Sequence, residues 1–426
     1  MQESQSKTAR ASRFPAGLQN YTIIVLLTVY VLSYLDRQIV GILAESIKRD
    51  LRLSDTQVGL MAGFAFSVFY TLLGLPLARL ADDPRSDRVG LIALAAAFWS
   101  AMTAACGLSQ SFVQLLLARM GVGLGEAGST PAAHALISEI VEPRRRASAM
   151  ALYGMGLPIG SLLAFVVGGA MADAFGWRAA FLLMGAPGLL VALVLRLTVK
   201  DPRRSQGAPT EPARHGGLRQ AAGLLLGSKV FVRLFLAATI IAFLGFGKAI
   251  WTASFMIRGF GLSPGEVGLW LGLGSGVAGV FGTWLGGALV ARAGPRQRLA
   301  IPAAGLALAV PFLLGGYLAT DWRVSMTLIC LSAVVTNIYY GPMFGTVQAV
   351  IPQAARATAV AVISFGQNMI GLGLGPLVFG VLSDLLRPVA GADSLRWVLV
   401  AMTCLWPVPA ILMWRAGAHL EAEARH

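Results

Sequence analysis

Long apolar stretches separated by short charged segments run through the whole chain, and they constrain its fold more than any other feature. Crossing the hydrocarbon core of a bilayer, which is about 30 Å thick, takes about 20 apolar residues in a helix. The pattern therefore predicts an all-α polytopic membrane protein with twelve transmembrane helices. The twelve stretches lie near residues 21–44, 56–80, 89–107, 111–139, 147–172, 178–198, 230–257, 265–291, 299–319, 323–351, 357–386 and 395–414.

The composition excludes the soluble classes of protein. Hydrophobic residues make up 56% of the 426 residues and charged residues only 13%, whereas soluble domains carry about 25% charged residues. So few charges cannot cover a water-facing surface of this size, and the same figures exclude disordered, collagen-like and disulfide-framework chains. The cysteines Cys106, Cys330 and Cys404 lie far apart in apolar stretches. We interpret them as packed thiols, because their spacing fits neither a disulfide set nor a metal site.

The net charge of +14 has the layout of a membrane protein and not that of a nucleic-acid-binding protein. Most Lys and Arg residues fall in the segments on the side of the two termini, and cytoplasmic loops carry such an excess. Residues 1–20 are polar and lack a small-residue cleavage site, so we expect a cytoplasmic tail and not a signal peptide. The sequence predicts a multi-pass protein of a bacterial inner (plasma) membrane, with both termini in the cytoplasm.

The two halves of the chain repeat. Residues 53–60 match residues 262–269 at an offset of 209, and residues 146–149 match residues 356–359 at an offset of 210. A nearly constant offset indicates a duplicated six-helix unit, and internal repeats around a midplane site are typical of secondary transporters. The predicted organisation is an N-terminal tail 1–20, a six-helix bundle 21–198, a basic linker 199–228, a second bundle 229–415 and a C-terminal tail 416–426.

The main candidates for function are five ionisable residues inside the predicted spans: Asp36, Arg37, Arg119, Glu126 and Lys248. Such groups are costly in lipid and mark cavities, partners or transport pathways. Arg119 and Glu126 are seven residues apart and share a helix face, while the similar depth of Asp36 and Arg119 predicts an ion pair. Arg37 is within reach of Glu126. The alternative is that these pairs only pin helices together, and that Lys248 extends to the membrane interface.

Polar but uncharged residues give weaker signals. Asn337 and Tyr340 could line the same cavity, although hydrogen bonding between helices is an equally good interpretation. Residues 261–265 fit a nucleophile pattern, Gly-x-Ser-x-Gly, but Ser263 and Glu266 form a capping box at a helix start. We find no Walker A loop, no zinc-binding histidine pattern and no catalytic constellation in the sequence. The sequence therefore predicts no catalytic residues, metal or cofactor.

Several motifs together resemble the major facilitator superfamily across nearly the whole chain. The segment 78–88 resembles its gating loop, with Asp82 and Arg88 in the charged positions. Residues 119–123 resemble the fourth-helix motif and residues 156–160 the fifth-helix motif. The second-half copy of the gating loop has Ala291 where the pattern has an aspartate, so the resemblance implies a charged cytoplasmic lock in the first half alone.

Within that superfamily, the chain is most similar to the Spinster-like proteins. Residues 34–37 (Tyr-Leu-Asp-Arg), 123–127 (Gly-Leu-Gly-Glu-Ala) and 186–189 (Ala-Pro-Gly-Leu) carry this resemblance, with 200–203 ending the sixth span. It implies a monomer that moves an amphipathic anionic small molecule or lipid, such as a lysolipid or sphingolipid phosphate. Alternatives are a proton-coupled transporter of small organic anions or drugs, a passive lipid scramblase, a receptor-like protein and, least favoured, a membrane-embedded enzyme.

These observations assign expected roles to the candidate residues of a secondary transporter that works by alternating access. Arg37, Lys248, Glu126, Asn337 and Tyr340 are expected to bind the substrate. Asp36, Glu126 and Arg119 are expected to take part in proton coupling, with the protons on the two carboxyl groups, because a desolvated carboxyl group favours its neutral form and a nearby arginine favours the ionised form. The expected partners are thus the substrate, protons and membrane lipids, without nucleic acid.

The gating resemblance generates the first testable prediction. If contacts of Asp82 with Arg88 and Arg146 close the cytoplasmic side, Asp82→Asn weakens that closure and shifts the protein toward an inward-open state. Cysteine accessibility in the inner cavity should increase in this variant. Unchanged accessibility would place the lock elsewhere.

Overall fold

Helices make up almost all of the computed structural model, which describes residues 15–83, 86–201 and 218–424. No β-strand occurs in these ranges. The chain is therefore an all-α polytopic protein, as its apolar stretches predict. The N-terminal tail, most of the basic linker and the last two residues lie outside the described residues, so the interpretation of those segments stays a prediction.

Twelve spans follow one another along the described chain, and several are interrupted. They are span 1, Ala16–Leu51; span 2, Asp55–Gly59, Leu60–Phe64 and Ala65–Asp82; span 3, Arg88–Leu108; span 4, Phe112–Glu126 and Ser129–Ile140; spans 5 and 6, Pro143–Gly154 and Gly156–Thr198, divided at Gly176; span 7, Lys229–Phe260; span 8, Pro264–Val290; span 9, Gln297–Leu318; span 10, Trp322–Asn337 and Tyr340–Val350; span 11, Arg356–Gly366, Gln367–Leu374 and Gly375–Ala390; and span 12, Ser394–Thr403 and Pro407–Ala424. A short helix, Leu218–Gly227, ends the predicted linker, and single 3₁₀ turns occur at Gln353–Ala355 and Gly391–Asp393.

Length and composition alone pick out nine helical stretches of the described chain that could cross a membrane. Two of them are too long for one crossing: Pro143–Thr198 has 56 residues and Thr358–Ala422 has 65, or more than about 80 Å of helix. Each contains a glycine with positive φ, Gly176 (81°) or Gly391 (57°), at which the helix direction changes. Each long stretch thus supplies two crossings, and the interrupted span 4 supplies the twelfth.

The helix starts that the sequence marks by serine are confirmed. Ser54 accepts a hydrogen bond from the Gln57 backbone N–H, and the Gln57 side chain in turn accepts from the Ser54 N–H. Ser263 and Glu266 form the same reciprocal pair at the start of span 8. The Gly-x-Ser-x-Gly pattern around Ser263 is therefore a cap.

All three cysteines are free thiols. Cys106 is buried and Cys330 is half-buried, but Cys404 is exposed. The prediction of packed thiols is therefore wrong for Cys404, because the apolar stretch around it presents that side chain outward.

Contacts group the chain into two compact units whose boundaries fall inside spans 1, 2 and 5. Among the described residues, unit 1 comprises 15–39, 69–83, 86–164 and 178–201, and unit 2 comprises 40–68, 165–177 and 218–424. Two segments of the first sequence half, 40–68 and 165–177, thus pack within unit 2 together with the second half. The predicted division at the linker describes the repeat and does not describe this grouping.

Within unit 1, span 5 packs closely on span 1 at Gly160. A Cβ atom on this residue would overlap the Val31 carbonyl oxygen and would lie 2.7 Å from the Tyr34 Cβ. Neither atom belongs to the far end of a flexible side chain, so an added methyl group would push the two helices apart. The close approach places the Tyr34 face of span 1 directly against span 5.

We expect Gly160→Ala to lower the stability of the protein by about 1–3 kcal/mol, because the extra methyl group overfills a backbone contact. Gly154→Ala is the matched control in the same span, since its Cβ would meet nothing within 4 Å. Thermal unfolding of the purified protein in detergent measures both. Equal unfolding temperatures for the two variants would contradict the close packing.

Candidate functional site

Four of the five ionisable candidate residues, Asp36, Arg37, Arg119 and Glu126, meet in unit 1. The Arg37 Nη2 donates to the Glu126 Oε2 over 2.7 Å, and the two side chains are 9% and 0% exposed. The Ser33 Oγ donates to the same carboxylate oxygen over 2.9 Å. Ser33 and Arg37 are four residues apart on span 1 and share a face. Span 1 therefore presents a hydroxyl and a guanidinium group to one carboxylate.

Glu126 lies at an interruption of span 4. The helix Phe112–Glu126 ends at this residue and the next helix begins at Ser129, whose hydroxyl donates to the Glu126 carbonyl oxygen over 3.1 Å. The break leaves helix-end groups to be satisfied by side chains. The carboxylate thus sits at the point of span 4 where the backbone is least regular.

Asp36 and Arg119 are also brought together, both fully buried. The contact that joins them runs from the Arg119 Nη1 to the Asp36 main-chain carbonyl oxygen over 3.0 Å. The Asp36 carboxylate faces Thr103 and Trp99 and interacts electrostatically with Arg119 and Glu126. Its Oδ1 accepts no hydrogen bond within the described residues. The expected proximity is present, but the recorded hydrogen bond uses the backbone.

Two tyrosine rings lie close to Arg37, and only Tyr34 belongs to a motif identified in the sequence. The guanidinium carbon lies 4.8 Å from the Tyr34 ring centre and 4.6 Å from that of Tyr70, within the range of cation–π attraction. Tyr30 stacks on Tyr153 at 4.5 Å and meets the Tyr34 ring edge-on at 5.1 Å. The i, i+4, i+7 spacing of Tyr30, Tyr34 and Arg37 is the signal that identifies this face of span 1.

The remaining candidates lie in unit 2 and are more dispersed. The Lys248 Nζ donates to the Ser332 hydroxyl over 3.5 Å, and no acidic residue pairs with it among the described residues. The Asn337 amide donates to the Ala333 carbonyl oxygen of its own helix over 2.7 Å. Tyr340 is 50% exposed and packs on Phe344. No recorded polar contact joins Lys248 to Asn337 or Tyr340 in the described chain.

Arg88 and Arg146, two of the three residues expected to close the cytoplasmic side, contact other residues in the structure. The Arg88 Nη1 pairs with the Glu139 carboxylate at 2.5 Å, and its Nε donates to the Ala81 carbonyl oxygen over 3.0 Å. The Arg146 Nε donates to the Val141 carbonyl oxygen over 3.0 Å. The Asp82 side chain lies outside the described residues. Glu139 is a partner that the resemblance to the gating loop did not include.

Comparison with known proteins identifies the family. The model of the Major Facilitator Superfamily matches residues 26–376, which is most of the chain. The chain belongs to the major facilitator superfamily.

Relatives of this major facilitator include Spinster proteins. The MFS-type efflux pump of Mycolicibacterium smegmatis is 34% identical over 403 residues, covering 94% of this chain and 92% of the pump. Protein spinster of Drosophila melanogaster is 26% identical over 380 residues, covering 86% of this chain and 62% of that protein. The crystal structure of a bacterial homolog of the human lysosomal transporter Spinster, inward-facing and unoccupied, has a TM-score of 0.87 at 29% identity, covering 96% of this chain and 99% of that chain. This major facilitator is therefore Spinster-like, and it is a membrane transporter and not an enzyme.

The burial of the Arg37–Glu126 pair generates a stability prediction. Removing one partner leaves a buried charge uncompensated, at about 3–5 kcal/mol, whereas replacing both with apolar residues is often neutral. We expect Arg37→Met and Glu126→Met to lower the unfolding temperature each by more than the double variant does. A double variant that is as unstable as the sum of the single variants would show that the two charges do not depend on each other.

Proposed function

We propose that this Spinster-like facilitator is a secondary active transporter that moves an amphipathic anion by alternating access, with proton coupling. The observation that carries the proposal is the buried Arg37–Glu126 salt bridge at the interruption of span 4. A fully desolvated ion pair is weak evidence for stability alone. Ionisable residues within spans are, in contrast, common at transport and proton pathways.

The coupling proposal follows from the shared carboxylate. Glu126 accepts hydrogen bonds from Arg37 and Ser33, so a proton on this group removes the charge that holds Arg37. Arg37 then becomes available to a substrate anion. Proton binding and anion binding reinforce each other in this scheme. Asp36 and Arg119 supply a second buried carboxylate and guanidinium group within the same unit.

The charge of the substrate follows from the cations. In unit 2, Lys248 lies within span 7 with a hydroxyl as its recorded partner, which favours an anion as ligand. Asn337 and Tyr340 are proposed to contribute polar contacts in the same unit. The resemblance to Spinster proteins points to a lysolipid or sphingolipid phosphate as the amphipathic anion. The proposed setting is a monomer in a bacterial inner membrane, with both termini in the cytoplasm.

Small organic anions or drugs are the second candidate substrates. The observation that favours them is the 34% identity to an efflux pump over most of both chains. A thermal-shift screen of lysolipids, sphingolipid phosphates and organic anions separates the two classes, because a ligand stabilises the folded state that binds it. The best stabiliser then serves as the transported probe.

Uptake of that probe into liposomes, with and without an imposed pH gradient, tests the mechanism. We expect the wild-type protein to accumulate the probe uphill when a gradient is present, whereas a passive scramblase only equilibrates it. Glu126→Gln mimics the protonated carboxyl group, so gradient-driven accumulation should disappear while exchange between equal pools persists. Accumulation at the wild-type level by Glu126→Gln would remove the proton role.

Binding of the same probe tests the two cations. Arg37→Ala and Lys248→Met should each weaken binding of an anionic probe by about tenfold or more, since each removes a charge from a low-dielectric site. Lys248→Arg keeps the charge and is the matched control. Unchanged affinity in Lys248→Met would exclude this lysine from the site.

A further inference from the structure

Unit 2 contains two pseudo-equivalent contacts between segments of the first and second halves of the sequence. Span 2 packs on span 11, and span 5 packs on span 8. Both contacts lie at the membrane side opposite the two termini. They are related by the internal repeat, so each serves as a reference for the other.

The backbone packing of the two contacts is the same. A Cβ on Gly59 would overlap the Pro376 carbonyl oxygen, and one on its repeat mate Gly268 would overlap the Phe165 carbonyl oxygen. Likewise, a Cβ on Gly380 would overlap the Asp55 carbonyl oxygen, and one on Gly169 would lie 2.5 Å from that of Pro264. Shape alone therefore does not distinguish the two contacts.

Each contact also has an aspartate that caps the facing helix. The Asp384 carboxylate of span 11 accepts from the backbone N–H groups of Asp55 (3.1 Å) and Thr56 (2.7 Å) at the start of span 2. Asp173, at the equivalent place in span 5, accepts from the Ser263 hydroxyl (2.6 Å) and the Gly265 N–H (2.9 Å) at the start of span 8. A carboxylate is favourable at a helix N-terminus.

The two contacts differ in their charged residues. At span 2, the buried Asp55 carboxylate accepts from the Arg258 Nη1 at 2.9 Å and Nη2 at 2.7 Å, and it pairs with Lys48 as well. The Ser383 hydroxyl donates to it over 2.6 Å, and the Arg258 Nε pairs with Glu45 at 2.6 Å. The repeat mate of Asp55 is Pro264, whose side chain accepts no hydrogen bond. The span 5–span 8 contact consequently has no counterpart to the central carboxylate.

We infer that the contact of span 2 with span 11, held by Asp384 and by the Asp55–Arg258–Glu45 network, is the latch that keeps this side of the transporter closed, and that the span 5–span 8 contact is not. The inference rests on the alternating-access part of the proposed function. Opening this side breaks both sets of helix-end hydrogen bonds. Only on the span 2 side does it also separate buried charges that belong to different halves of the chain.

Accessibility of a buried thiol measures the opening. Ser67 on span 2 is fully buried and its Oγ lies against Gly373 of span 11, so Ser67→Cys, in a background without the three native cysteines, becomes accessible to a thiol reagent when the two spans separate. Purified protein in lipid nanodiscs exposes both membrane faces, and the measurement needs neither substrate nor a known orientation. If the wild type fails to accumulate substrate in liposomes, the proposed coupling fails while this measurement still decides the latch.

Asp384→Ala and Asp173→Ala, each in the Ser67→Cys background, form the matched pair of variants. We expect the labelling rate of the introduced thiol to rise about five- to tenfold in Asp384→Ala, because part-buried cap hydrogen bonds of the closed state are lost. The rise should stay below about twofold in Asp173→Ala, because its cap hydrogen bonds are exposed and water replaces them. Asp384→Asn retains one of the two acceptor oxygens of the cap, so its labelling rate should fall between that of the unsubstituted protein and that of Asp384→Ala. Equal rates in the two alanine variants, or no increase in Asp384→Ala, would overturn the inference.

A second variant keeps the test decisive if Asp384→Ala does not give a monodisperse protein. Asp55→Asn leaves the backbone N–H groups that Asp384 caps and removes the charge between Arg258 and Lys48. We expect faster labelling of the introduced thiol in this variant as well. Labelling at the unsubstituted rate would show that the ion network does not hold this side closed.

Discussion

The exclusion of water from charged side chains is the constraint on which the rest of this structure depends. In the described part of a chain with only 13% charged residues, most charged side chains lie near helix ends. The exceptions are therefore informative. Arg37 and Glu126 are held together at 2.7 Å with almost no exposure, and two tyrosine rings cover the guanidinium group. The energy of desolvating the pair is offset only while both partners stay in place.

The interruptions in the spans have the same physical origin as this pair. An uninterrupted helix satisfies its own backbone, so a lipid-facing helix has no reason to break. Span 4 breaks directly after Glu126, and span 11 contains a π-helical segment, Gln367–Leu374, beside the close glycine contacts of unit 2. Irregular helix of this kind is frequent at functional sites. The breaks therefore identify the parts of the spans that have a role beyond crossing the membrane.

Much of the fold and part of the site follow from the sequence, because the signals are local. Apolar length predicts the spans, and a serine followed three residues later by Gln or Glu predicts the starts of spans 2 and 8. Charged residues inside apolar stretches predict Arg37 and Glu126 as residues of the site. The partners that arise from tertiary packing were not predictable: Tyr70 at Arg37, Tyr153 at Tyr30, Glu139 at Arg88, and the caps by Asp173 and Asp384. Nothing in the spacing of these residues shows which distant helix they meet.

The two halves of the chain share a duplicated backbone, but their charged residues are distributed unequally. At an offset of 210 the four ionisable residues of the site, Asp36, Arg37, Arg119 and Glu126, correspond to Phe246, Gly247, Ile329 and Thr336, all uncharged, and Lys248 corresponds to Gln38. The first half thus holds balanced charges, two acidic and two basic, which suit proton exchange because a proton on either carboxyl group unbalances the set. Lys248 of the second half has no charged residue at the equivalent position, and its positive charge suits attraction of an anion. The charge difference between Asp55 and its repeat mate Pro264 has a related explanation. If both positions carried a charge, each opening of this side would have to break two buried networks.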